Sequence, residues 1–197
     1  MELRTTVTYL EMLSCPDDIK LSPPTNLNPE IRLSENPTVE DYRHLYNSVG
    51  AKWTWIERRL MHDKQVEELI SSPYVEIHIL YVDNIIAGFG EIGWDKETNG
   101  SEIKYFGLMP NFIGKGLGSY FLNNIVNIAW KRSPIRLRVN TCDLDHPSAL
   151  SVYQKSGFKI LEQIVEHLPD PTTAGLPHPP PHEARQAIFK AYVSNRS

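Results

Sequence analysis

Residues 102–118 read Glu102-Ile103-Lys104-Tyr105-Phe106-Gly107-Leu108-Met109-Pro110-Asn111-Phe112-Ile113-Gly114-Lys115-Gly116-Leu117-Gly118, and the fold turns on them. The first part has strand character from residue 102 to Met109 and is stopped by Pro110. Glycines then occupy alternate positions, with Lys115 between the first two. From Leu117 the apolar spacing changes to three and four: Leu117, Phe121, Ile125, Ile128 and Ala129, with Asn123, Asn127 and Lys131 set apart. Strand, glycine loop, helix start is an arrangement that binds anions. The first turn of a helix has unsatisfied N–H groups and the positive end of the macrodipole, and glycines let the backbone close on a diphosphate.

Spacing separates the known loops of this kind. A nucleoside-triphosphate loop needs a glycine five residues before Gly114 and Ser or Thr after the lysine; Met109 and Gly116 stand there instead. A dinucleotide fingerprint begun at Gly114 would end on glycine at position 119, which is Ser119. What remains is G-x-G-x-G after a strand that ends in proline.

Outward from the loop, residues 75–82 and 85–92 are rich in β-branched and aromatic residues around Asp83-Asn84, which predicts a hairpin. Residues 6–12 alternate like a strand, and a polar, proline-bearing stretch follows to Asn28. Thr38 reads as the cap of a helix ending near Gly50, with Asp41 where Glu is favoured. A second helical pattern covers residues 55–70. Downstream, residues 135–139 alternate as a strand, Pro147 and Gly157 bracket a short helix, and residues 158–165 read as a strand. The order predicts an α/β (α+β) domain over residues 1–167, a mixed, mostly antiparallel sheet flanked by helices. Residues 168–197 form a Pro-rich extension that adds a last strand or a helix.

The loop is similar to the central motif of the GNAT superfamily of N-acetyltransferases, Q/R-x-x-G-x-G/A after a strand and a proline. Ile113 stands where that family has Gln or Arg. A second motif, N-x-x-A-x-x-x-Y-x-x-x-G-F, resembles residues 146–158, with Ala149, Tyr153, Gly157 and Phe158 in place and His146 replacing the Asn. The resemblance covers residues 75–165. It implies a GNAT-like fold and acetyl-CoA as co-substrate, held by Leu108, Met109, Ile113, Gly114, Lys115, Gly116, Leu117, Gly118, Ser119, His146, Ala149 and Tyr153. It further implies that the Leu108 N–H polarises the thioester at a strand bulge, with Gly107 beside it fitting a kink.

Amide formation from a thioester also needs a proton for the thiolate and a base for the amine. Tyr153, four residues after Ala149 on one helix face, is the candidate acid; the alternative is a core tyrosine satisfied locally. Glu102 or water is the candidate base, against a solvated strand-end charge. Unbroken alternation would put Glu102, Lys104, Phe106 and Leu108 on one face. Asp145 or His146 is expected to cap the short helix and Cys142 to be an inert buried thiol. Tyr42, Tyr46, Trp53, Trp55, Arg58 and Arg59 either frame an acceptor pocket or close a helix corner.

The 197-residue chain carries 20 Lys and Arg against 24 Asp and Glu, a net charge of −4 without a basic cluster, which argues against a nucleic-acid partner. No apolar run suits a membrane span or a signal peptide, and two distant cysteines make no disulfide framework, so a cytoplasmic protein is expected. His167, His178 and His182 lack metal-ligand spacing, and no metal is expected. The partner is a small-molecule or peptide amine, and the protein a monomer or homodimer. The reading from another functional class is a CoA-binding regulatory module without turnover.

Overall fold

The alternation around residues 102–108 belongs to the middle of a seven-stranded sheet in the computed structural model, which describes residues 2–24 and 26–194. In chain order the elements are β1 (Leu3–Met12), β2 (Pro29–Leu33), α1 (Val39–Gly50), α2 (Glu57–Leu60), α3 (Asp63–Ile70), β3 (Val75–Val82), β4 (Ile85–Asp95), β5 (Gly100–Leu108), α4 (Leu117–Trp130), β6 (Leu137–Cys142), α5 (Ala149–Lys155), β7 (Lys159–Leu168) and α6 (His182–Ser194). Strands lie in the order β2-β3-β4-β5-β6-β1-β7. Every neighbouring pair is antiparallel except β5 and β6.

Two apolar layers sandwich the sheet. On one side Phe121, Ile125 and Val126 of α4 meet Leu10, Leu80, Ile92, Ile103 and Val139. On the other, Tyr42, Leu45 and Tyr46 of α1 and Val66 of α3 meet Ile77 and Phe89. Both faces of the central strands are therefore buried, as a sheet between helices requires. The hairpin turn has φ of 51° at Asp83 and 63° at Asn84, the left-handed pair that matches strand twist.

Thr38 caps α1 as read: its Oγ1 accepts the Asp41 N–H at 3.1 Å and donates to Asp41 Oδ2 at 2.6 Å. Thr38→Ala should cost about 1 kcal/mol, a drop of roughly 2–4 °C in the unfolding midpoint by circular dichroism. An unchanged midpoint would show that the cap contributes nothing.

The structure corrects three readings and decides a fourth. The helical pattern over residues 55–70 is two helices, broken at Met61 (ψ 142°). The Arg43 guanidinium of α1 takes the carbonyls of Arg58 (3.0 Å) and Met61 (2.8 Å), and the Gln65 side chain accepts the His62 N–H at 2.8 Å to start α3. The polar stretch after β1 is followed by an unforeseen edge strand, β2, paired with β3. The extension resolves as a helix, α6, after a single 3-10 turn at Pro171–Ala174. The break in alternation lies at Lys104 rather than beside Gly107, because Glu91 pairs with Tyr105 and Ile92 with Ile103, leaving Lys104 as the extra residue. Gly107 serves packing instead: a Cβ there would meet Val49 Cγ1 of α1 at 2.4 Å.

Candidate functional site

β5 and β6 hold register for three pairs only, Ser101 with Leu137, Glu102 with Arg138 and Ile103 with Val139. Past these the strands part, and the gap becomes a cavity of about 560 Å³. The backbone of β5 is aimed into it. Met109 N–H donates to Ala87 O on β4 at 2.8 Å. Alternate residues of an antiparallel ladder turn their amides to opposite neighbours. Leu108, opposite Gly88, therefore turns its N–H away from β4 and toward the gap.

The glycine loop closes one end. Gly114 (φ 83°) and Gly116 (φ 78°) adopt left-handed conformations that resist side chains, and Gly116 begins α4 with no side-chain cap. The 14-residue helix α4 thus presents its first-turn amides to the cavity mouth. Ile113, Gly114, Gly116, Gly118 and Ser119 line the cavity, as do Leu108, His146, Ala149 and Tyr153. Three expected contacts do not. Leu117 is buried against the α4 core, Met109 packs on the α1 side, and Lys115 turns over the Phe112 ring at 5.0 Å.

Tyr153 stands at the centre of the lining. Its ring packs near Phe106 (6.4 Å) and Phe158 (6.1 Å), and its hydroxyl makes no hydrogen bond among the described residues. Burial first, then the negative charge of Asp145 and of a Cys142 thiolate, push the phenol pKa well above its ordinary value.

The turn after β6 forms a second wall. Asp145 does not cap α5; it accepts from Thr141 Oγ1 (2.8 Å), Cys142 N–H (2.9 Å) and Trp55 Nε1 (3.2 Å). Its burial raises its pKa, opposed by those donors. Nor does His146 cap α5: the N-cap is Ser148, without a side-chain cap bond, and His146 Nδ1 accepts the Ser148 N–H at 3.1 Å just ahead of the helix. Burial, with the Asp145 charge, pushes the Cys142 thiol far up, away from the reactive thiolate.

The third wall is aromatic and acidic. Tyr46, Trp53 and Trp55 come from α1 and the segment after it, and Trp55 also packs on Tyr46 and Tyr105 at 5.4 and 5.0 Å, so the tryptophan both closes the corner and lines the cavity. Tyr42 and Arg58 lie deeper, bound to Glu91. Sequence reasoning missed Glu57, which accepts the Tyr105 hydroxyl, and Glu166, which accepts Tyr9 OH at 2.5 Å. The alternation of Thr5, Val7 and Tyr9 marks a strand face, but nothing local shows that β1 inserts between β6 and β7 and brings that face to the cavity.

Glu102 is not brought to this site. It sits in the closed part of the β5–β6 ladder, pairs with Lys104, and is absent from the lining. The bulge at Lys104 also separates it from Phe106 and Leu108, which face α4 with Ile103.

Residues 42–158 match the acetyltransferase (GNAT) family, more than half of the chain. The chain belongs to the GNAT acetyltransferase family. Solved GNAT-fold structures share its architecture. An aminoglycoside acetyltransferase from an uncultured soil metagenomic sample superposes with a TM-score of 0.57 at 13% identity, covering 70% of this chain and 93% of that one. A Bacillus subtilis acetyltransferase in complex with CoA gives 0.52 at 20% identity, covering 68% and 79%. A functionally unknown conserved protein from Staphylococcus epidermidis gives 0.57 at 19% identity; it covers 84% of this chain, which spans only 61% of that protein's length. At these identities the likeness is one of fold. Among the described residues no helix is long and apolar enough to cross a membrane. The GNAT match includes the glycine loop and Tyr153 and leaves out β1, β7 and α6, which supply Tyr9, Glu166 and the supports of the second wall.

Proposed function

We propose that the protein moves an acetyl group from acetyl-CoA to the primary amine of a small molecule or peptide by direct attack. One observation carries the reading: the Leu108 N–H, the uncapped start of α4 and the unpartnered Tyr153 hydroxyl converge on one cavity. The glycine loop and the α4 amides hold the pyrophosphate, with Ile113 to Ser119 around it. The Leu108 N–H donates to the thioester oxygen as negative charge develops there. The amine enters from the side walled by Trp53, Trp55 and Tyr105 and loses its proton to water, since Glu102 lies outside the lining. Tyr153 returns a proton to the departing sulfur. Cys15 and Cys142 are both unpaired thiols, which suits a cytoplasmic enzyme. Ile113 and His146, at two positions where the family pattern differs, keep open a second reading, a CoA-binding module without turnover.

Thermal unfolding with acetyl-CoA, CoA, ATP and NAD tests the reading. A ligand at a hundred times its Kd stabilises by about 2.7 kcal/mol, which should raise the midpoint by roughly 5–10 °C. The expected result is a rise with the two CoA compounds alone, followed by CoA release with amine acceptors. The acceptors of the aminoglycoside acetyltransferases are natural first members of that panel. A rise without turnover on any amine would favour the binding module, and no rise would remove both readings.

A further inference from the structure

The turn between β6 and α5 faces two ways. Cys142, Leu144, Asp145 and His146 line the cavity, while Asp143 is not part of the lining and its side chain is 2% exposed. Four side chains from outside the GNAT match converge on that one carboxylate. Arg185 Nη1 donates to Oδ1 at 2.6 Å, Gln186 Nε2 to Oδ2 at 2.7 Å and Thr5 Oγ1 to Oδ1 at 2.7 Å. His182 Nε2 lies 3.3 Å from Oδ2 and 3.0 Å from Thr6 Oγ1. Arg185 is itself 5% exposed and donates further to Pro180 O at 2.9 Å and to Arg4 O. One guanidinium thereby ties β1, the Pro-rich extension and the site turn together.

We propose that α6 is a positioning element for acyl transfer, acting through Arg185 on Asp143 to fix the turn that sets Asp145 against Trp55 and beside Tyr153. The proposal rests on the acetyl-transfer reading above. Displacing one partner of a buried ion pair leaves the other charge buried alone, so this pair favours the geometry in which both are satisfied. Among the described residues the sheet and both apolar layers are built without α6, and Ile188 on the helix is 55% exposed. What it adds is directed at one residue. Two residues along the chain, the Asp145 carboxylate takes the Trp55 indole at 3.2 Å and sits close enough to Tyr153 to raise its pKa. Loosening Asp143 therefore moves the acceptor wall and the environment of the proton donor together, while the glycine loop on α4 is untouched.

Arg185→Ala and Arg185→Lys, in a Cys15→Ser background, separate positioning from folding. Three quantities are read: kcat/KM for an amine acceptor, Kd for CoA, and the rate at which a disulfide reagent labels Cys142 well below the unfolding midpoint. Arg185→Ala should lower kcat/KM about 10- to 100-fold, the scale of a displacement near 1 Å. The CoA Kd should stay within about twofold, and Cys142 labelling should quicken about tenfold or more as the turn opens. Arg185→Lys keeps the charge on Asp143 and should recover part of both. Combined with Trp55→Phe, Arg185→Ala should cost less than the product of the single effects, since both act through Asp145. Wild-type turnover and labelling in folded Arg185→Ala, or effects that multiply with those of Trp55→Phe, would overturn the proposal. If Arg185→Ala does not fold, Arg185→Lys and Gln186→Ala are judged by the same readouts. Absence of acetyl transfer by the wild-type protein would instead count against the proposed function, and the labelling rates would still decide whether Arg185 holds the turn.

Discussion

Arg58→Ala should destabilise the protein by about 3–5 kcal/mol, the cost of stranding one member of a buried ion pair. Arg58 Nη2 lies 3.0 Å from Glu91 Oε1, with the two side chains 14% and 1% exposed. Tyr42 completes the group, donating to Glu91 Oε2 at 2.5 Å and accepting Arg58 Nε at 3.1 Å. Burial works against the arginine charge, but Glu91, Tyr105 and Tyr42 more than offset it and hold its pKa above the usual range. Without Arg58 the buried carboxylate keeps one tyrosine donor and no counter-charge. For a chain of this length that is a fall of roughly 6–20 °C in the unfolding midpoint. Arg58→Met combined with Glu91→Gln should recover much of the loss, because the double change removes both charges. A loss under about 1 kcal/mol for Arg58→Ala would rank the pair with ordinary surface contacts. Activity should suffer as well. Arg58 anchors α2, which begins with Glu57, and its guanidinium lies over the Tyr105 ring at 4.9 Å, so the acceptor wall hangs on the same pair.

The parts of this molecule that were legible in the sequence are those written in short-range spacing. Gly114, Gly116 and Gly118 before an apolar helix face, and Ala149 to Phe158 with their tyrosine, are local patterns, and both ends of the cavity follow from them. Asp83-Asn84 specified its turn in the same local way. What stayed hidden depends on which strands become neighbours. Tyr9 and Glu166 are 157 residues apart and meet only because β1 slots between β6 and β7. Arg185 and Asp143 meet through a proline-rich segment whose composition carries no period at all. The bulge at Lys104 was equally silent: Ile103, Lys104 and Tyr105 suit an unbroken strand, and the extra residue shows only against β4. That single insertion separates Glu102 from the face of Phe106 and Leu108. The side chains of Met109 and Leu117 turn from the cavity for a related reason. A motif marks a backbone path, whereas the direction of each side chain along it is set by the core it meets.

Tyr153→Phe should reduce kcat by about 10²- to 10⁴-fold, the usual contribution of a positioned acid, while leaving the protein at least as stable. The two halves of this expectation come from the same atom. The hydroxyl belongs to the cavity lining and makes no hydrogen bond among the described residues, so removing it breaks no bond and keeps the ring contacts with Phe106 and Phe158. A midpoint equal to or above the wild-type value would therefore show that the ring's packing survives. A core tyrosine of the ordinary kind would behave in reverse, losing a satisfied bond and little rate. The KM for acetyl-CoA should change little, because the pyrophosphate end is held by the loop and the α4 amides. The sign of the pH dependence follows from the raised pKa. The donating form of a phenol is its protonated form, which persists below the pKa, and here the pKa is pushed above a starting value of 10.0. This group should therefore cause no fall in kcat between pH 7 and 9, where rising pH instead frees the amine. An alkaline limb of kcat inside that window, or a Tyr153→Phe enzyme within about threefold of the wild type, would move the proton donor to water. The tyrosine would then be a wall of the cavity, and the catalytic burden would rest on the Leu108 amide and the placement of the amine in the cavity that Trp55 and Asp145 line.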